Sequence, residues 1–216
     1  MRRSLSLFCA LLIGNALIGD HVLRAQQPQA VSEYDIKAGW FAFFGLYIQW
    51  PEQPFPGADK DFVIGVLGNN PFGPYVRPSG NGFAIHASKF PKSLKVIQGK
   101  RIKVIEYATV DAFRRNYRPC HILFISRSSA PGVPAETVQD RVSAALAKTK
   151  NQSVVLVGEA SSKAESEAFA KSGVIICYWN DLQDQRLKMV INDTLARNEG
   201  LKIKSPLLRL GVVTPL

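Results

Sequence analysis

The sequence predicts an α/β domain with a mixed, mostly parallel sheet flanked by helices, a Rossmann-like three-layer arrangement. Three observations lead there. Residues 61–68, 120–125 and 153–157 are short runs apolar on both sides, as strands covered by helices on both faces must be. Segments of helical length separate these runs, the pattern of βαβ units. Two later runs, 174–179 and 186–191, are joined by the short segment 180–185 and predict an antiparallel hairpin, which makes the sheet mixed.

The elements follow in order. Ser32 caps a helix whose first turn carries Glu33 and Asp35, where the helix dipole favours acids. That helix is expected to run to Trp50, where Pro51 ends it. It is apolar nearly all round, so it is buried in a core or against a partner; Trp40, Phe44 and Tyr47 are the candidate partner surface. After the strand at 61–68, Asn69-Asn70-Pro71-Phe72-Gly73 is turn chemistry. Residues 78–99, with Pro78, Gly80, Gly82, Pro91 and Gly99, read as a loop or short insertion. Residues 100–107 alternate basic and apolar side chains as a strand does, and Thr109 caps a short helix to Tyr117. The strand at 120–125 precedes a helix expected from Pro134 to Ala147. The strand at 153–157 precedes one that Ser161 or Ser162 opens and Gly173 ends. Asn192 caps a helix ending near Gly200, and Pro206 starts a short terminal one. No interdomain linker or internal repeat interrupts the series, so residues 26–216 are expected to form one domain.

The N-terminus has a separate meaning. Arg2 and Arg3 precede an apolar run that Asn15 breaks, shorter than the ~20 residues of a bilayer span. This predicts a secretory signal peptide over residues 1–25, cut after Ala25, with an uncleaved anchor as the alternative. The chain is then exported. Lys and Arg number 27 against 17 Asp and Glu; losing Arg2, Arg3, Arg24 and Asp20 leaves 24 basic and 16 acidic residues, a net charge of +8. Such a surface favours acidic partners or anionic membranes. Nucleic acid is not an expected partner, because export removes the chain from it and the basic residues are scattered.

Cys120 and Cys177 follow the cleavage point. Export permits a Cys120–Cys177 disulfide, and two buried free thiols are the alternative. No HExxH, CxxC pair, GxSxG or Walker loop occurs, and no acid–base pair stands out, so neither enzyme activity nor a cofactor or metal is implied. His121 is expected to be structural, since Cys120 and His121 point to opposite faces of a strand. Open α/β sheets bind ligands beyond the carboxyl ends of their strands. Asn69, Phe72, Ser126, Arg127 and Gly158 lie at such ends and form a candidate pocket for a small polar or anionic ligand; turn and capping roles are the alternative.

Several of these segments, in order, resemble the YfiR family of exported bacterial proteins. They are 33–38 with Gln49-Trp50-Pro51, then 62–73 with its Pro-Phe-Gly turn, and Cys120-His121 opening a buried strand. Residues 173–176 with 186–192, and 201–210, complete the series. Residues 74–99 are longer and richer in Pro and Gly than the family pattern, and Cys177 stands where an aromatic or aliphatic residue is usual. The resemblance implies a non-catalytic periplasmic regulator that binds the sensory domain of an inner-membrane signalling enzyme, a diguanylate cyclase or a sensor kinase. It implies lowered cyclic di-GMP and biofilm formation, sequestration by an outer-membrane lipoprotein, and homodimers. A periplasmic small-molecule binder is the alternative function.

Overall fold

A computed structural model describes residues 32–213, so the predicted signal peptide lies outside the described residues. The elements are α1 (Glu33–Tyr47), β1 (Ile48–Gln49), β2 (Asp61–Leu67), β3 (Val76–Ser79), β4 (Gly82–Ile85), β5 (Val96–Ile97) and β6 (Lys100–Tyr107). Then come α2 (Val110–Asn116), β7 (Ile122–Ile125), α3 (Val138–Thr149), β8 (Val155–Glu159), α4 (Lys163–Ser172), β9 (Ile176–Asp181) and β10 (Arg186–Ile191). The last are α5 (Asp193–Asn198), β11 (Lys202–Ile203), α6 (Ser205–Leu208) and β12 (Val212–Val213).

The main sheet runs β12-β10-β9-β8-β7-β2-β6-β4-β3. Its centre, β6-β2-β7-β8-β9, is parallel throughout, and β9 pairs antiparallel with β10. The predicted mixed sheet with a late hairpin is therefore the observed one. Strand alternation divides the core in two. Phe62, Ile64, Phe124, Val157 and Tyr178 face α1, α5 and α6, whereas Val63, Leu123, Leu156, Cys177 and Trp179 face α2, α3 and α4.

Four expectations need correction. α1 stops at Tyr47, because Ile48 and Gln49 are extended and pair with Ile203 and Lys202. α3 starts at Val138, because Thr137 and Asp140 cap each other reciprocally there; Pro134 lies outside the helix. The stretch 78–99 is not a plain loop: β3 and β4 form a hairpin about Gly80-Asn81, and Val96 and Ile97 pair with β6. The fourth is the disulfide. Cys120 and Cys177 are both free and buried. Cys177 pairs with Gly158, which stands beside Ile125, and Cys120 lies five residues before Ile125. That is roughly 10 Å across the sheet and 16 Å along it, far beyond disulfide reach. Burial pushes both thiols up to about 12.

Candidate functional site

The chain passes from β2 to β6 on one side and then to β7 on the other, so the strand order reverses between β2 and β7. An open α/β sheet has its ligand crevice at such a switch point. Here Arg141 fills that crevice. It is fully buried; Nε donates to the Ser126 carbonyl at 2.8 Å, Nη2 to the Arg127 carbonyl at 2.8 Å, and Nη1 to the Glu136 carbonyl at 3.1 Å and Ser129 Oγ at 3.2 Å. The Asn69 amide donates to the Ser128 carbonyl at 2.9 Å and ties the two loops together. Gly68 has φ +98°, and a Cβ there would lie 2.8 Å from the Ser128 carbonyl oxygen and 3.1 Å from Arg141 Cδ. Only glycine fits.

A pocket of about 100 Å³ lies further along the same edge, above β8 and β9 and against the first turn of α1. Ser32 starts α1 by accepting the Tyr34 amide, and the helical spacing then stacks Glu33 and Lys37 one turn apart. Lys37 and Glu159 are only 2% and 3% exposed. The Lys37 ammonium donates to Glu159 at 2.5 Å and to Glu33, and lies 4.9 Å from the Tyr34 ring centre and 5.6 Å from that of Tyr178. The other Glu159 oxygen accepts the Arg127 amide at 3.0 Å, and Asn180 donates to Glu33 at 2.6 Å. Burial raises the Glu33 carboxyl, but the hydrogen bonds from Lys37 and Asn180 outweigh it and hold the group below its ordinary value.

Two tyrosines complete this pocket. Burial and the neighbouring carboxylates push the Tyr34 hydroxyl up to about 12. Tyr178 is 1% exposed and its hydroxyl has no hydrogen-bond partner among the described residues, although it lines the pocket. Burial, then Glu159, raises it well above the ordinary value, so it stays a neutral donor. An unpaired buried hydroxyl costs about 1–3 kcal/mol, which a ligand acceptor would relieve.

The predicted ligand residues are only partly assembled here. Arg127 lines the pocket, with Nη1 3.4 Å from the Ala160 carbonyl. Ser126 is buried and its hydroxyl accepts the Ser128 amide, a turn role. Gly158 is also buried, and a Cβ there would meet Val174 and Cys177 at 3.3 and 3.4 Å, so it serves packing. Asn69 belongs to the closed crevice. Phe72 is core, 4.8 Å from Phe41 and 4.7 Å from Phe124 between ring centres. Sequence reasoning missed Lys37, Glu159, Tyr178 and Asn180. The one available signal was an acid, Glu159, ending an otherwise apolar strand.

The predicted partner surface divides similarly. Phe44 is fully buried, which removes it from any surface, since α1 turns that face toward Tyr178. Trp40 and Tyr47 are half-buried. The outward side of α1 instead borders an apolar groove of about 470 Å³, lined by Phe43, Leu46, Phe90, Leu94, Val96 and Lys204 among others. At the amino end of β7, His121 stacks on Phe62 at 4.5 Å and accepts the Val63 amide through Nδ1. Burial, then the Lys100 charge, lowers it to about 4, so it is neutral. Among the described residues no cluster of His, Cys, Asp and Glu has metal-site geometry, and no helix is long and apolar enough to cross a membrane.

The family model described as YfiR/HmsC-like matches residues 34–212. No curated protein matches the sequence. Among solved structures, the chain is similar to a conserved domain protein from Vibrio cholerae at 12% identity and TM-score 0.44, covering 85% of this chain and 60% of that one. It is also similar to an ABC domain from Streptococcus pneumonia, solved with L-Trp, at 11% identity and TM-score 0.42, covering 73% of this chain and 57% of that one. The chain thus spans less than two thirds of the length of either.

Proposed function

The chain belongs to the YfiR/HmsC-like family, and from that premise we propose that it is a non-catalytic periplasmic regulator. It binds the periplasmic sensory domain of an inner-membrane diguanylate cyclase, holds the enzyme inactive and lowers cyclic di-GMP. The observation that carries this reading is the family match over residues 34–212, nearly the whole described domain. Residues 1–25, read as a removable export signal, are consistent with the compartment, and the net charge of +8 after their removal favours an acidic partner. Sequestration by an outer-membrane lipoprotein and self-association belong to the same reading. Titrating residues 26–216 against the isolated periplasmic domain of a diguanylate cyclase from the same organism tests it. Saturable binding at about 1 μM or tighter is expected, and no binding to any such domain counts against it.

A second reading, a small-molecule binder, is favoured by one observation: the unpartnered Tyr178 hydroxyl in the pocket of Lys37, Arg127 and Glu159. The pocket volume of about 100 Å³ limits a ligand to a few heavy atoms. A ligand found there should lose affinity in Tyr178→Phe while the fold is kept. Unchanged affinity would remove this pocket from consideration.

A further inference from the structure

The groove beside α1 has a built wall and an uneven charge. Gln98 donates to the carbonyls of Gly45 at 2.7 Å and Ile48 at 3.1 Å, fastening the segment 90–98 to the helix. Gly45 permits this approach, because a Cβ there would overlap the Ile97 side chain. Lys204 Nζ donates to the Leu46 carbonyl at 3.0 Å and lines the groove. The groove therefore exists before any partner arrives, although Leu46 and Val96 are left 56% and 46% exposed. Exposed aliphatic groups beside a preformed apolar channel are the usual mark of a docking surface.

Charge decides what docks. From Phe62 to Ile105 the sequence holds no acidic residue, while Arg77, Lys89, Lys92, Lys95, Lys100, Arg101 and Lys103 are basic. Lys89, Lys92 and Lys95 are exposed and interleave with the groove residues Phe90, Leu94 and Val96. Apolar lining residues and exposed lysines thus alternate along the same stretch of chain, and Lys204 lines the groove itself. Among the described residues no acid lines the groove.

We propose that this groove, between α1 and residues 90–98, receives an acidic amphipathic helix of a protein partner, its apolar face against Leu46, Phe90 and Val96 and its carboxylates toward Lys89, Lys92, Lys95 and Lys204. A helix laid in a groove matches the concave shape, and opposite charge fixes its orientation. An anionic membrane shares the charge but calls for apolar groups that protrude, whereas these line a depression. The inference rests on the regulator reading for its biological partner and adds where that partner binds.

The test is fluorescence anisotropy with residues 26–216 and a synthetic helix of about 18 residues, leucine on one face and glutamate on the other. A copy with lysine for glutamate and phosphatidylglycerol vesicles serve as competing probes. The acidic helix should bind, the basic copy should not, and Leu46→Glu or Val96→Glu should weaken binding at least about tenfold. Lys89→Glu with Lys92→Glu and Lys95→Glu should weaken it and flatten its salt dependence. Leu182→Glu, an exposed change in the β9–β10 turn, should leave it unchanged. No binding of the acidic helix, equal binding by the groove variants, or capture by vesicles alone would overturn the proposal. Repeating the variants against the cyclase domain separates the two claims. If that domain binds and Leu46→Glu has no effect, the groove fails and the regulator reading stands. If only the peptide binds, the reverse holds.

Discussion

Two buried cations sit at the carboxyl edge of one sheet, and they do opposite things. Arg141, at the switch point between β2 and β7, spends its donors on carbonyls and a hydroxyl of the 126–136 loop. The crevice around it is closed. Lys37, above β8 and β9, is held by two carboxylates beside a tyrosine hydroxyl that has no partner among the described residues, and a pocket lies there. Where the fold alone would place a ligand, the chain has put its own guanidinium, and the unsatisfied chemistry lies two strands away. Topology located the edge; the two positions differ in that the Arg141 side chain fills one, whereas the Tyr178 hydroxyl lines a pocket at the other.

The largest effect is expected at Arg141. Arg141→Met should cost about 4 kcal/mol or more, because it strands the carbonyls of Ser126, Arg127 and Glu136. Urea unfolding would read this, and a loss under about 1 kcal/mol would break the contrast with Lys37. Lys37→Met should cost about 3 kcal/mol by leaving Glu159 buried and unpaired, and Lys37→Met with Glu159→Met should recover most of it. Failure of the double variant to recover would mean that Lys37 stabilises through more than that pair.

His121 sharpens the comparison from the other end of the sheet. Its Nε2 also lacks a partner, but Trp50, Phe55 and Phe62 pack around the ring. Its pKa is depressed in the fold, so the unfolded chain takes up the proton first. The contribution is present above about pH 6.5 and is lost as pH falls toward 4, on the order of 3 kcal/mol in all. His121→Phe should flatten stability across that window in pH-dependent urea melts; an unchanged slope would remove His121 as the cause. The smaller effect of opposite sign belongs to Tyr178. Tyr178→Phe should raise stability by about 1 kcal/mol in the free protein, since it deletes an unsatisfied hydroxyl. A loss of stability would reveal a partner for that hydroxyl. The smallest effect is zero: reducing agent should leave the melting temperature of residues 26–216 unchanged, because Cys120 and Cys177 are unbonded.

The fold was legible because its strands are apolar on both faces and its helices carry capping residues. Ser32, Thr109, Ser162 and Asn192 all cap as their positions predict. The hairpin at 76–85 was hidden because its strands are short and Pro78 sits in one, although Gly80-Asn81 is a hairpin turn signal. The site was less legible. Arg127 could be found from its place after a strand, whereas Lys37 and Glu159 are 122 positions apart and meet only once α1 lies across β8. Phe44 and Phe72 illustrate the converse. An aromatic surplus marked a region, but only packing decided which rings face outward and which fill the core.

If the chain regulates a membrane enzyme by contact, cyclic di-GMP synthesis reads that regulation most directly. Membranes carrying the organism's diguanylate cyclase, opened so that both faces are accessible, would be assayed with increasing amounts of residues 26–216. The account predicts a saturable fall in cyclic di-GMP formation. Formation unchanged at saturating protein would contradict it.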